Sequence, residues 1–298
     1  MRSFWSTIYW EVILLLRSRL LWPIGLLMAF FGLWEAIGIR GLPTGMWTNF
    51  VLSSLWFVTL ILTFWAGGQA EQAQARRVNN MIWSTPISSW TYIWGRFMGM
   101  LLVAFGFTLI YVCAAILTDQ FWNVPTALPV IGQASFPPLG AFPYIIFWIW
   151  LVLVPTIFGV AFAISLVTLL RGKKIAVYIG ALLLWIPLFL GIGSSLYGPF
   201  EITAANFFAP SAPNPYENQH FFDLNHQAEV SLHTRPYILS PELGRKVMDI
   251  LRAEIPPTFL GWDFVENRIF FLILSIALLC LAAYIMERRR QTAGEREA

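Results

Sequence analysis

The sequence predicts an all-α membrane protein with six transmembrane helices. Of its 298 residues, 58% are hydrophobic and only 12% are charged, whereas a soluble domain carries about 25% charged residues. Apolar runs of roughly 18 residues or more are long enough to cross the hydrocarbon core as helices, and six runs reach that length. Because these runs are apolar on all sides, they do not show the alternating polarity of a membrane β-barrel.

The predicted spans are separated by loops of very unequal length. The spans are placed at about residues 20–39, 50–67, 97–117, 143–170, 175–196 and 269–286. Residues 68–96 are the one sizeable insertion on the side of the termini, and residues 197–266 form a long loop that we expect to be a lid over the opposite mouth. Together they make residues 1–298 a single transmembrane domain.

Before the first span, residues 1–19 predict an amphipathic helix in the headgroup plane. Polar residues recur near helical spacing, and apolar and aromatic residues occupy the other side. The polar set is Ser3, Thr7, Glu11 and Ser18, and the apolar set is Trp5, Ile8, Tyr9, Val12 and Leu16. The alternative is an inward extension of the first span.

Lysine and arginine predict the orientation. An even number of spans places both termini on one side, and thirteen of the 19 Lys and Arg residues fall on that side. The two short loops opposite hold only Arg40, and the long loop is a poor reporter of orientation. We therefore expect cytoplasmic termini in a multi-pass protein of a plasma membrane, of the bacterial inner type. The net charge of +3 reflects this bias and gives no reason to expect a nucleic-acid partner.

Motifs that would support catalysis are missing from the sequence. It has no G-x-x-x-x-G-K-[ST] phosphate loop, no H-E-x-x-H and no G-x-S-x-G. The histidines His220, His226 and His233 all lie in the 197–266 loop, with spacings that match no familiar zinc-ligand pattern. We therefore expect no catalytic residue and no metal site, and the chain is not predicted to be an enzyme by itself.

One carboxylate, Glu35, lies within the predicted spans. Ionisable groups inside a membrane are functional candidates by default. Because Glu35 is near the outer interface and near Arg40, pairing or snorkelling is favoured over a proton relay.

The stretch NNMIWSTPISSWTYIWGRFMG, residues 79–99, interrupts the apolar pattern. Pro86 disfavours helical backbone at Thr85 and ends the preceding helix, and Ser88 or Ser89 can cap the next one. Aromatic residues of this kind concentrate at headgroup depth; here they include Trp83, Trp90 and Trp94. The pattern predicts a helix, an elbow and a second helix that continues into the third span.

This segment resembles the cytoplasmic loop after the second span of type 2, exporter-type ABC-transporter permeases. That loop carries a helix, a Ser-Thr-Pro-aliphatic-Ser turn, an aromatic residue and a Gly-Lys/Arg pair. The matching residues, in order, are Ser84, Thr85, Pro86, Ile87, Ser88, Trp90, Gly95 and Arg96. The predicted topology agrees along the whole chain, including the interfacial helix, the six spans, the long outer loop and the basic ERRR tail.

The resemblance implies that residues 68–96 are a coupling element that docks on a dimer of cytoplasmic ATPase subunits. ATP and magnesium would then bind those subunits, and this chain would hold no cofactor. The implied contact residues are Arg76, Arg77, Trp83, Ser84, Thr85, Pro86, Ile87, Ser88 and Trp90. Large apolar side chains such as Trp83, Ile87 and Trp90 are the kind that dominates interface energies.

The resemblance also implies a second permease chain, identical or homologous, with membrane lipids around the pair. The substrate path would lie between the second and fifth spans of the two chains. On that basis the lining candidates are Ser53, Ser54, Phe57 and Trp185.

Two other functional classes remain as alternatives. A membrane-embedded enzyme or assembly factor would act through the 197–266 loop and would need clustered carboxylates or histidines there. A secondary transporter would need ionisable residues at mid-membrane, which the spans do not supply.

Overall fold

The computed structural model describes residues 2–41, 57–75, 87–121, 141–170, 173–189 and 262–297. Within these ranges all regular structure is helical and no strand occurs, so the predicted all-α class is confirmed. The helices are α1 (Arg2–Leu16), α2 (Leu21–Gly41), α3 (Thr59–Ala75), α4 (Ser89–Phe121), α5 (Ala141–Phe147), a π-helix (Trp148–Leu153), α6 (Val154–Leu169), α7 (Lys174–Phe189) and α8 (Trp262–Glu297).

Two of the described helices are long and apolar enough to cross a membrane. They are α4 and the Arg268–Thr292 part of α8. The pair α1 and α2 provides a third candidate if the two helices are counted as one bent span. Shorter apolar helices occupy Val154–Leu169 and Ile175–Leu184. The length and composition of these helices support the prediction of a membrane protein.

Helix α1 does not continue α2 in a straight line. The two helices are bent by 79° across a short break. At the break, the Ser18 carbonyl accepts a hydrogen bond from the Leu21 N–H at 3.1 Å, and its Oγ accepts one from the Leu20 N–H at 3.3 Å. These bonds pair amides at the start of α2 that have no partner within the helix. A straight inward extension of the first predicted span is therefore not formed.

The core of the bundle is helix α4. It packs against α1, α2, α6 and α8, while α6 packs against α3, α7 and α8. The side of α4 that faces these neighbours is buried and includes Phe97, Met100, Phe107 and Tyr111. The N-terminal half of the protein is thus joined to the C-terminal half through α4 and α6.

Close helix approaches in this bundle depend on glycine. A Cβ atom on Gly32 of α2 would overlap the carbonyl oxygen of Tyr111 in α4, and one on Gly159 of α6 would overlap the Thr63 hydroxyl in α3. The Thr63 Oγ1 is directed by a 2.8 Å hydrogen bond to the Thr59 carbonyl. Small residues serve this purpose in membranes. Because lipid tails are as apolar as the side chains, the hydrophobic effect does not drive helices together there, and close packing of the backbones does so instead.

We expect Gly32→Ala to destabilise the protein, because the new methyl group would overlap backbone of α4. Overpacking of this kind typically costs about 1–3 kcal/mol. The matched control is Gly106→Ala on α4, where an added Cβ meets no atom within 4 Å. Both changes gain the same helix propensity, so thermal unfolding in detergent isolates the steric effect. Equal melting temperatures for the two variants would contradict the close approach of α2 and α4.

Candidate functional site

The described part of the predicted elbow, residues 87–90, leads directly into α4. Ser88 precedes the helix, and its Oγ accepts a hydrogen bond from the Thr91 N–H at 3.2 Å. The Ser88 and Thr91 hydroxyls also lie 2.9 Å apart, within hydrogen-bond distance. This is the geometry of a serine N-cap, so the capping prediction is confirmed, with Ser88 as the capping residue.

The C-terminal part of α8 holds the elbow on both sides of this cap. A carboxylate oxygen of Glu287 accepts a hydrogen bond from the Ser89 N–H at 3.3 Å. Nη1 of Arg290 donates to the Ile87 carbonyl at 2.7 Å. The negative charge of Glu287 lies at the N-terminus of α4, where the helix dipole favours it, and bonds from a charged donor are among the stronger hydrogen bonds in proteins.

A neighbouring arginine of α8 binds the end of another helix. Arg289 donates from Nη1 to the Thr168 carbonyl at 2.8 Å and from Nη2 to the Leu169 carbonyl at 2.9 Å. These carbonyls end α6, where a cation is favourable. The Glu-Arg-Arg-Arg run of α8 therefore joins the elbow to the C-terminus of α6.

Arg96, two turns into α4, is 2% exposed and joins three helices. Its Nε donates to the Glu11 carboxylate of α1 at 3.2 Å. Its Nη2 donates to the carbonyls of Gln69 at 2.9 Å and Ala70 at 3.2 Å in α3. Its Nη1 donates to the Tyr92 hydroxyl at 3.4 Å. A buried charge requires this degree of pairing, because an unpaired charge in an apolar interior is very unfavourable.

Two glycines beside Arg96 allow α1 to lie directly on α4. A Cβ on Gly95 would come within 2.9 Å of Thr7 Cγ2, and one on Gly99 within 2.8 Å of Glu11 Cβ. The spacing is that of a small-xxx-small motif, which brings helices close together in membranes. The polar side of α1 therefore contacts protein.

The aromatic side of α1 points away from the bundle. Trp5, Tyr9 and Trp10 are 66%, 61% and 57% exposed. The predicted division of the helix is confirmed in part: Trp5 and Tyr9 of the predicted apolar side are exposed, but Ile8 of that side is buried. The contact of Thr7 and Glu11 with α4 was not predicted.

At the elbow, the side chains divide between a buried side and an exposed side. Ser89 and Ile93 are buried, whereas Ser88 is exposed and Ile87 partly so. Trp90 is 42% exposed. In the described part of the elbow, Trp90 is therefore a large exposed aromatic side chain next to backbone that is bonded to α8.

The residues predicted for coupling fall partly within the described structure. Ile87, Ser88 and Trp90 are described; the predicted contact residues Arg76, Arg77, Trp83, Ser84, Thr85 and Pro86 lie outside the described residues. Ile87 and the neighbouring Ser89 bond to the C-terminal part of α8, an association that the sequence did not predict.

The predicted path residues are described in part. Phe57 precedes α3, is 42% exposed and stacks on Phe31 of α2 with ring centroids 5.5 Å apart. Ser53 and Ser54 lie outside the described residues. Trp185 belongs to α7, and its side chain lies outside the described residues.

Glu35 in α2 has a specific partner in α4. The carboxylate is 1% exposed and accepts a hydrogen bond from the Tyr111 hydroxyl at 2.5 Å. The expected pairing of this group therefore involves a tyrosine. Within the described ranges no group of three or more His, Cys, Asp and Glu could hold a metal ion, and the three histidines of the 197–266 loop lie outside those ranges.

The sequence did not predict the residues that join these helices. Glu287 and Arg290 bond to the elbow, Glu11 and Gln69 bond to Arg96, and Arg289 bonds to the end of α6. A local signal existed for Glu11, which lies one turn after Thr7 on the polar side of α1. A signal also existed for Glu287, an acidic residue at the start of a basic run. The sequence around Glu11 and Glu287 does not show which residues they bond to.

Comparison with known proteins gives no assignment. No protein-family model matches the chain, and no curated protein is significantly similar to it.

We expect the Arg96–Glu11 pair to behave as one energetic unit. Arg96→Met should destabilise the protein by about 3–5 kcal/mol, because it leaves the Glu11 carboxylate without its cation. A double-mutant cycle with Glu11→Gln should give a coupling energy of about 0.5–3 kcal/mol. Unfolding in mixed micelles provides the measurement, and exposed Arg288 serves as the control position through Arg288→Gln. If the changes in the free energy of unfolding at Arg96 and Glu11 were additive, the two residues would not interact as a pair.

The role of Arg290 is tested against its neighbour Arg288. We expect Arg290→Gln to increase hydrogen exchange at the amides of residues 87–92, because the Ile87 carbonyl loses its charged donor. Arg288 is exposed, so Arg288→Gln should leave exchange at the elbow unchanged. Exchange is followed by peptide mass spectrometry in detergent. The same exchange pattern in both variants would show that Arg290 does not hold the elbow.

Proposed function

We propose that this chain is the membrane-spanning subunit of an exporter-type ABC transporter. In this proposal it has six spans and cytoplasmic termini and hydrolyses no ATP itself; a dimer of separate ATPase subunits docks on residues 68–96. The observation that carries the proposal is the Ser-Thr-Pro-Ile-Ser turn followed by Trp90 and the Gly95–Arg96 pair. This turn stands at the start of a helix long enough to cross a membrane.

The hydrogen bonds around the elbow support a mechanical role. A force applied at Trp90 would act on backbone that is capped by Ser88 and bonded to Glu287 and Arg290. It would pass along α4 directly and into α8 through those two side chains. An elbow that is bonded in this way would move together with α4 and α8 and would bend little itself.

The directions of the helices support the proposed topology. The C-termini of α3, α6 and α8 lie at the same end of the bundle as the N-terminus of α4, because Arg96, Arg289 and Arg290 connect them. Six spans with cytoplasmic termini require this arrangement for the second, third, fourth and sixth spans. The basic residues at this end follow the positive-inside rule.

The contact between α3 and α7 supports the proposed path. These helices cover parts of the second and fifth predicted spans, and the rings of Phe64 and Tyr178 lie 4.9 Å apart. A Cβ on Gly67 of α3 would come within 2.7 Å of Val177. The proposed path lies between the second and fifth spans of two permease chains. This arrangement requires that the two spans be neighbours within each chain. Phe57, Ser53, Ser54 and Trp185 remain the proposed lining residues.

The test is reconstitution of the purified chain with a cognate ATPase subunit. Alone the chain should show no ATPase activity, and the complex should hydrolyse ATP and transport substrate. Trp90→Glu should reduce assembly or transport per ATP by about tenfold or more, because a charge replaces a partly buried aromatic anchor of the kind that dominates interface energies. Activity and assembly are measured in proteoliposomes and by co-purification.

The matched control is Thr292→Glu on α8. Thr292 is exposed, and its hydroxyl bonds only to the carbonyls of Arg288 and Arg289 in its own helix. The control should assemble and transport like the parent protein. Normal assembly and transport by Trp90→Glu would refute docking at the elbow.

A further inference from the structure

An apolar groove of about 520 Å³ lies between α1, α2 and α4. Its volume falls within the roughly 300–1,000 Å³ typical of small-ligand sites. The walls include Leu16 of α1, Trp22 and Leu26 of α2, and Ile110 of α4. Trp22 and Leu26 are 75% and 71% exposed, so the groove opens towards the surroundings of the bundle.

The groove extends along about two turns of α2. Its lining there runs from Leu21 to Ala29, which corresponds to about 12 Å at 1.5 Å per residue. This length approaches half the thickness of a hydrocarbon core of about 30 Å. A groove of this length with an apolar lining can hold part of one acyl chain.

The floor of the groove contains Gly106 of α4. A Cβ placed on this residue meets no atom within 4 Å. In contrast, a Cβ on Gly25, which also lines the groove, would be in ordinary contact with Ile110 and Phe107. The open space at Gly106 is therefore part of the groove itself.

Two arginines stand at one end of the groove. Arg17 and Arg19 lie in the 79° turn between α1 and α2, next to the lining residues Leu16 and Leu21. Both side chains are exposed, and neither forms an ion pair with another residue in the described part of the chain. The groove thus joins an apolar channel to two positive charges.

We propose that this groove binds a phospholipid with an anionic head group. One acyl chain fills the channel, and the phosphate lies against Arg17 and Arg19. An acyl chain gains little by leaving bulk lipid for an apolar wall, because the two environments are equally apolar. Selection therefore comes from the head group, at about fivefold per arginine near the surface. The site goes beyond the proposed transport function and does not depend on it.

Native mass spectrometry of the detergent-purified full chain tests the site. The probes are palmitoyl-oleoyl phosphatidylglycerol and palmitoyl-oleoyl phosphatidylcholine at equal concentration. We expect preferential retention of one phosphatidylglycerol molecule. Gly106→Leu should reduce its occupancy at least fivefold, because the leucine fills the channel. Ala277→Leu, which introduces the same side chain at an exposed position of α8, should leave the occupancy unchanged.

A second variant tests the head-group contact without changing the channel. Arg17→Gln with Arg19→Gln should abolish the preference for phosphatidylglycerol while weak retention of both lipids persists. Equal retention of the two lipids by the parent protein, or equal occupancy in the Gly106→Leu and Ala277→Leu variants, would overturn the proposal.

Occupation of the groove by a second copy of the chain is tested by disulfide cross-linking. The variant carries Gly106→Cys in a background of Cys113→Ser and Cys280→Ser. A lipid-filled groove predicts no cross-linked dimer through position 106 in membranes. Efficient cross-linking would identify the second copy as the occupant and would refute lipid binding there.

Discussion

The arrangement of α1, α3 and α4 depends on the bonds made by the buried guanidinium of Arg96. A cation with 2% exposure is tolerated only where its donors find acceptors. Its acceptors come from α1 through Glu11 and from α3 through two backbone carbonyls. Helix α1 must therefore lie on α4, and the Gln69–Ala70 part of α3 must lie beside Arg96. Gly95 and Gly99 make this possible, because larger residues would collide with Thr7 and Glu11.

The arginines of α8 extend the same principle to other helix ends. Carbonyls in the last turn of a helix have no intrahelical partner, and an apolar surrounding provides none. Arg289 supplies donors to the end of α6, and Arg290 supplies one to the elbow. A count of charges uses these basic residues only to predict the orientation of the chain in the membrane. In the structure they also join helix termini. The elbow, the C-terminal part of α8 and the C-terminus of α6 are therefore bonded in series.

The sequence predicted the features that depend on local properties. The helical class followed from the length of the apolar runs, and a cap by Ser88 or Ser89 followed from the two serines placed after Pro86. The long-range contacts were not predictable, because Arg96 and Glu11 are 85 residues apart and Arg290 and Ile87 are 203 residues apart. Helix α1 was predictable in part. A polar stripe predicts an amphipathic helix, but it does not show whether the stripe faces water or contacts another helix.

Helix α1 also connects Arg96 to the apolar groove. Glu11 is bonded to Arg96, and the next residue, Val12, lines the groove together with Leu16. Gly99 holds α1 against α4 on one side of the groove, and Gly106 opens its floor two turns further along the same helix. Because α1 and α4 contribute both to the Arg96 bonds and to the walls of the groove, a movement of α4 relative to α1 would change both. A lipid in the groove would therefore favour the arrangement in which α1 and α4 are spaced to hold its chain, since a ligand stabilises the conformation that it binds more tightly.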